Sequence, residues 1–429
     1  MKEIVRCARA LVGGVEVEDF AFVSQDGIIA LTGDYSSLLK EYPGHSVRSF
    51  GREALVVPGF INGHSHAYQI LLRGWADDLT FAKWRSDALY RVVPRLTPGD
   101  IYWTFVAAFT EMLAAGITTV VEFFYLNGAG NAHAEAAIKA SQDTGIRLVL
   151  ARTWMDAGSA PAAFRETIEQ AQARTAQLIA KYPDANICVA PHSLHAASPA
   201  MIQASMAFAQ QRDLFVHIHV AEAQYEGEQT KAAHGATPVQ LLHRLGVLNE
   251  RLIAVHAIYI SQDEKKMLAS AGSRVVHNPM TNQYLGDGTC DVSGLAGLGV
   301  PLALGTDADV NPSLIQEMRA ASLLQKLAAR DGSVFGAAAS FDLATAQGAR
   351  ALGVQAGALE AGLAADFLIL DASRIDPWSP AVNALVYRAE NAWIKETYVS
   401  GKQVYSGGRS ALAEKAGATL TQLAQTLDL

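Results

Sequence analysis

Pro58-Gly-Phe-Ile-Asn-Gly-His-Ser-His66 ends a short apolar run on two histidines one residue apart. Alternate side chains of an extended strand share a face, so both imidazoles point the same way. Taken alone, such a pair is as often structural as metal-binding. Outward from it the same arrangement recurs. His219 opens His-Val-Ala-Glu222, His256 stands in Ile253-Ala-Val-His-Ala257, and Asp307 closes Leu302-Ala-Leu-Gly-Thr-Asp307. Each sits at the end of an apolar run. A closed parallel barrel brings several strand ends to one point, its C-terminal mouth. A divalent metal held there turns water into a nucleophile at neutral pH.

The apolar runs support that fold. They are Leu55–Phe60, Thr118–Glu122, Arg147–Ala151, Ile187–Pro191, Leu214–Ile218, Leu252–His256, Ser273–His277 and Val300–Leu304, with helical segments between them. This is the alternation of a (β/α)8 TIM-like barrel, expected over residues 58–357. Runs apolar at successive positions fit strands covered on both faces. Strand-like stretches flank the barrel: Ile4–Cys7, Asp19–Val23 and Gly27–Leu31 before it, Ala365–Asp371 and Lys395–Tyr405 after it. Residues 1–57 and 358–408 are therefore expected to form one small β-sandwich domain. Residues 409–429 read as a helical tail. Phe105–Leu126, broken by Glu111 and Glu122, reads as a buried helix and a strand rather than a membrane span.

Composition narrows the function classes. Of 429 residues, 50% are apolar and 18% charged, which places the chain among globular proteins. A net charge of −8 with no basic run argues against nucleic acid or an anionic membrane as the partner. Cys7, Cys188 and Cys290 form no CxxC pair, so buried thiols in a reducing compartment are expected. No signal-peptide pattern surrounds Glu3, Glu16 and Glu18, and a cytoplasmic location is the expectation.

Each candidate has a plainer reading. Glu222 one turn after His219 is a proton carrier beside a ligand, or a solvated loop carboxylate. His217 competes with His219 as the ligand; the spacing to Glu222 favours His219. His256 and His277 read equally as core histidines, and Asp307 as a helix N-cap. Their joint order on successive strand ends is what favours chemistry.

On Pro58–His66, His219-Val-Ala-Glu222, Val255-His256, His277-Asn-Pro279, Leu304-Gly-Thr-Asp307, Gly348–Gly353 and Gly362–Phe367, the chain resembles the amidohydrolase superfamily over nearly its whole length. The likeness is to its mononuclear deaminase branch. The dinuclear branch carries a metal-bridging lysine at the end of strand four, where this chain has Val189-Ala-Pro-His-Ser193. The resemblance thus implies one divalent ion, zinc ahead of iron, held by His64, His66, His219 and Asp307. It implies that Asp307 takes a proton from the attacking water. Glu222 would pass a proton to the leaving nitrogen, and His256 would face the attacking oxygen. A small-molecule substrate and a homodimer belong to the same expectation.

Two subfamilies bear on the substrate. Leu71–Leu79 and Glu317–Lys326 resemble deaminases of S-adenosylhomocysteine and methylthioadenosine. Ungapped alignment puts Val93 where those enzymes have a ribose-binding Glu. His66-Ala-Tyr-Gln69, Trp84-Arg85, Glu122–Tyr125 and Ala190–Leu194 resemble formimidoylglutamate deiminase. That likeness implies a pocket lined by Gln69, Arg85, Tyr125 and His192, with Arg85 holding a carboxylate. His195 stands where that family has a second carboxylate-binding arginine. Sequence alone therefore ranks a formimidoylglutamate-deiminase-like enzyme acting on a small amidine first. An adenosine-type or other aminated-heterocycle deaminase comes second, and a carbon–halogen or cyclic-amide hydrolase third. A catalytically silent barrel that only binds is the rival from another class. Tyr284, Asp287 and Gly288 read as a loop over the barrel mouth or as a plain turn. Trp75, Trp84 and Trp103 are expected in the core.

Overall fold

Eight short strands, parallel and nearly free of exposed residues, form a barrel in this computed structural model, which describes residues 2–75, 78–157, 160–308 and 311–429. In barrel order they are Phe60–His66, Ile117–Phe124, Arg147–Trp154, Asn186–Pro191, Val216–Val220, Leu252–His256, Arg274–His277 and Leu302–Leu304. Each pairs with the next. The ring closes just past strand eight, where Asp307–Ala308 pairs in parallel with Ser65 and His66 of strand one. Helices cover the outside, and their starts follow from local chemistry. Thr97, Thr167 and Ser261 cap the helices Pro98–Ala114, Ile168–Lys181 and Gln262–Ser270, each in a reciprocal capping box.

Both ends of the chain build a second sheet. Its eight strands include Lys2–Val12, Val15–Gln25, Ile28–Asp34, Ser46–Phe50 and Ala54–Pro58 from the start of the chain. Phe367–Asp371, Ile394–Val399 and Lys402–Tyr405 come from its end. The sheet bends around its own core, as the two layers of a sandwich do. Phe22 meets Phe367 edge-on at 5.4 Å, and Phe367 stacks on Tyr398 at 4.2 Å. The N-terminal strands are longer than their apolar runs suggest, because their outward positions are polar: Glu16, Glu18 and Asp19 are exposed.

One expected element divides. Leu55–Phe60 reads as the first barrel strand, yet Ala54–Pro58 pairs antiparallel with Phe367–Asp371 in the terminal sheet. Phe60 then starts the barrel. Gly59 makes the crossing possible, since a Cβ there would lie 2.3 Å from the Thr118 hydroxyl. Among the described residues, no helix is long and apolar enough to cross a membrane. The tail forms the helix Ala411–Leu427 and lies against the helix Pro98–Ala114, with Lys415 over the Trp103 ring. The Leu71–Leu79 segment includes residues 76 and 77, which fall outside the described residues.

Arg147, at the start of barrel strand three, joins barrel to sheet. Its guanidinium is paired with the fully buried Asp366, and it also donates to the Ser400 hydroxyl at 2.8 Å. The backbone N–H of Ser400 donates to Asp366 Oδ1 at 2.8 Å. Removing one partner strands a charge in a largely dry junction. Asp366→Ala is expected to lower unfolding free energy by about 3 kcal/mol, read from the midpoint of chemical denaturation. A loss below about 1 kcal/mol, the range of an exposed pair, would contradict this role.

Candidate active site

Strand one presents His64 and His66 from the same face, their ring centroids 4.8 Å apart. Strand five brings His219 beside them, with its Nε2 3.2 Å from His64 Nε2. Asp307 Oδ1 lies 3.3 Å from His64 Nε2 and 3.5 Å from His66 Nε2. One ligand atom from each of these four residues falls within 4.8 Å of all the others. The backbone contributes to this convergence. Asp307 (φ 55°) and His256 (φ 74°) are both left-handed, a conformation that non-glycine residues rarely adopt and that clusters at functional sites.

The histidines are prepared to accept a cation. His66 Nδ1 is 2.8 Å from the Phe123 carbonyl, and His219 Nδ1 is 2.9 Å from the His192 carbonyl. A carbonyl only accepts, so each Nδ1 carries the proton and each Nε2 turns a lone pair inward. Burial drives the imidazoles toward the neutral form: His64 falls well below its ordinary value, and His219 to about 3. Two inward lone pairs, the neighbouring His64 imidazole and a carboxylate, all buried, make a donor set suited to a zinc-like divalent ion. His217 is buried too but lies outside this cluster.

A second group shares Asp307. His256 Nε2 is 3.7 Å from Asp307 Oδ2 and 3.6 Å from Glu222 Oε1. Burial, and then the Asp307 carboxylate, push the Glu222 carboxyl well above the usual range. A carboxyl in such surroundings is suited to carrying a proton. His277, by contrast, is fully buried, and neither ring nitrogen has a hydrogen-bond partner among the described residues.

Gln69, Arg85, Tyr125, His192 and His195 line one cavity together with His66, His219, Glu222 and Asp307. Gln69 Nε2 donates to Tyr125 Oη at 3.0 Å. Arg85 lies on a short π-helical turn, Arg85–Leu89, with its guanidinium over the Phe81 and Tyr90 rings. Among the described residues no carboxylate pairs with it. Burial, and then the Arg85 charge, lower His195 to about 4, so that ring stays neutral. Val93 is buried away from this cavity.

Sequence reasoning misses part of the wall. Trp84 packs against the main core, as expected, but it also lines the cavity, with Phe81, Tyr90 and Phe164. For Phe81, Trp84 and Tyr90 the signal is closeness in sequence to Arg85; Phe164 has none. Trp75 and Trp103 pack against the main core, as expected. Asn278 and Asn282, which no motif singled out chemically, both reach His256. Tyr284, expected in a loop, lies in the helix Pro279–Leu285; just past it the Tyr259 hydroxyl donates to the Asp287 carbonyl, and Asp287 is buried.

Residues 55–404 match the model of the amidohydrolase family. The methylthioadenosine/S-adenosylhomocysteine deaminase of Pyrococcus furiosus is 32% identical over 365 residues, covering 82% of this chain and 84% of that one. The 5'-deoxyadenosine deaminase of Methanothermobacter thermautotrophicus is 32% identical over 387 residues, covering 86% and 88%. Among solved structures, a zinc-bound adenosine deaminase from Xanthomonas campestris superposes with a TM-score of 0.90 at 26% identity, covering 99% and 98%. An atrazine chlorohydrolase from Arthrobacter aurescens reaches 0.90 at 24% identity, covering 98% and 99%, a likeness of fold.

Two groups that could hold an ion share Asp307, one with His64, His66 and His219 and one with Glu222 and His256, and metal analysis of purified variants tells them apart. His219→Ala is expected to weaken metal binding by more than the roughly 10–100-fold typical of changes outside the ligand set. Glu222→Gln is expected to retain the wild-type metal content. Metal loss from Glu222→Gln would make Glu222 a ligand instead.

Proposed function

The chain belongs to the amidohydrolase family, and from that membership we propose that it releases ammonia hydrolytically from an amino-substituted heterocycle of the adenosine type. The coarser statement, a hydrolase of carbon–nitrogen bonds, rests on the family and on relatives named as deaminases. The observation that carries the deaminase reading is Glu222, a carboxyl whose burial pushes it well above the usual range, 3.6 Å from His256 and beside Asp307. A hydrolase that expels ammonia must protonate a poor leaving nitrogen, and a neutral carboxylic acid at the reacting centre does this.

In this reading His64, His66, His219 and Asp307 hold one divalent ion, most simply zinc. When bound, the ion supplies Lewis acidity, which makes water nucleophilic at neutral pH. Asp307 has a second oxygen, Oδ2, turned toward His256, and it takes the proton released as water attacks. His256 donates from Nε2 to the oxygen of the tetrahedral intermediate. Glu222 delivers its proton to the departing nitrogen. Gln69 and Tyr125, tied together at 3.0 Å, orient the ring to be deaminated.

The relatives' names reverse the order in which sequence alone ranks the substrates. They support 5'-modified adenosines ahead of N-formimino amino acids. One observation keeps a second reading in place. Arg85 stands in the cavity wall without a carboxylate partner among the described residues, and its planar fork suits a substrate carboxylate. That favours a substrate bearing a carboxylate: an N-formimino amino acid, or an adenosine carrying an amino-acid thioether.

Ammonia release from adenosine, 5'-deoxyadenosine, methylthioadenosine, S-adenosylhomocysteine and N-formiminoglutamate separates these readings. Turnover of the adenosine derivatives is expected. Turnover of N-formiminoglutamate alone would refute the adenosine-type reading. Glu222→Gln is expected to lower kcat by about 100-fold or more. Arg85→Ala is expected to raise KM about 10-fold for a carboxylate-bearing substrate and leave methylthioadenosine unchanged. An equal KM for both would remove Arg85 from substrate binding.

A further inference from the structure

His256 must present a proton at Nε2 to act on the attacking oxygen, and a neutral imidazole can carry that proton on either nitrogen. What decides lies on the far side of the ring. Asn282 Nδ2 is 3.1 Å from His256 Nδ1, and Asn278 Nδ2 is 3.4 Å from the same atom. Both amides are almost completely buried, so water does not compete for the contact. An amide can be turned over, which would put its oxygen against Nδ1 and draw the proton there. For Asn282 a third group excludes that. The same Nδ2 lies 3.3 Å from Asp287 Oδ2. With Asp287 ionised, a flipped amide would set its oxygen against that carboxylate oxygen, two acceptors face to face. Nitrogen must therefore point both ways, one hydrogen to Asp287 and the other to His256 Nδ1.

We infer that Asn282 is a positioning residue which, oriented by Asp287, keeps the His256 proton on Nε2, facing Glu222 and Asp307. Asn278 makes a second, longer contact with the same ring nitrogen. The arrangement ties the catalytic tautomer to the mouth loop, because the Asp287 carbonyl also accepts from the Tyr259 hydroxyl. The inference rests on the role proposed for His256.

The direct measurement is 15N NMR of histidine-labelled, metal-loaded protein at pH 8, above the value of about 7 to which burial lifts Asp287. His256, assigned by its loss in His256→Gln, is expected to show a protonated Nε2 and a bare Nδ1. A protonated Nδ1 in the wild-type protein would overturn the inference without any need for a variant to fold. The exchange Asn282→Asp with Asp287→Asn keeps the mutual hydrogen bond and reverses the polarity toward His256. It is expected to move the proton to Nδ1 and lower kcat by at least about 100-fold, with KM within about threefold and metal content unchanged. Wild-type kcat with a shifted proton would also overturn the inference. His256→Gln separates the two layers of the argument. If that variant keeps full activity, the role of His256 fails. If it is inactive while the exchanged pair stays fully active, only the positioning role of Asn282 fails.

Discussion

The backbone pairing of Asp307–Ala308 with Ser65–His66 closes the barrel and assembles its chemistry in the same stroke. Asp307 is held next to strand one by its main chain, while its carboxylate reaches His64 and His66 on that strand. His219 and Glu222 arrive from strand five and His256 from strand six, across the ring. Without closure these groups would lie along an open sheet, and no four of them could share one ion. The left-handed backbone at His256 and Asp307 is a local cost tolerated because the ring over-determines both positions.

Burial then sets the protonation states. At the barrel mouth the same desolvation acts on two kinds of group with opposite results. It strips protons from imidazoles, leaving His64, His66 and His219 neutral. It pushes the Glu222 carboxyl well above the usual range, toward the protonated form, with the nearby Asp307 carboxylate acting in the same direction. A hydrolytic deamination needs both: neutral nitrogen donors for a cation, and an acid for a basic leaving group. The carbonyls of Phe123 and His192, and the amide of Asn282, supply the finer choice of which ring nitrogen bears the proton.

The barrel strands, and the order HxH, HxxE, His, Asp along them, are legible in the sequence because each chemical residue ends an apolar run. Length and polarity obscure the rest. The strands of the terminal sheet extend past their apolar centres, since Glu16, Glu18 and Asp19 face water. The junction at Gly59 hides inside one continuous apolar run, and only the packing against Thr118 shows why a glycine stands there. Trp84 reads as a core tryptophan and packs as one, and its second role in the cavity wall beside Arg85 emerges only in the fold. Asn282 has no legible role, because His256 meets it only after strands six and seven are adjacent. Substrate choice is the least legible of all. The hydrophobic Val93, in place of an expected acid, argued against a nucleoside, while relatives across most of the chain carry nucleoside deaminase names.

The central claim is that one metal ion sits among four side chains gathered by barrel closure, with Glu222 left free as the acid. Diffraction from zinc-loaded crystals, recorded at energies on both sides of the zinc edge, tests it most directly. The account predicts a single anomalous peak within bonding distance of His64, His66, His219 and Asp307, and none at Glu222 or His192. A second peak beside His192, or a peak ligated by Glu222, would contradict it.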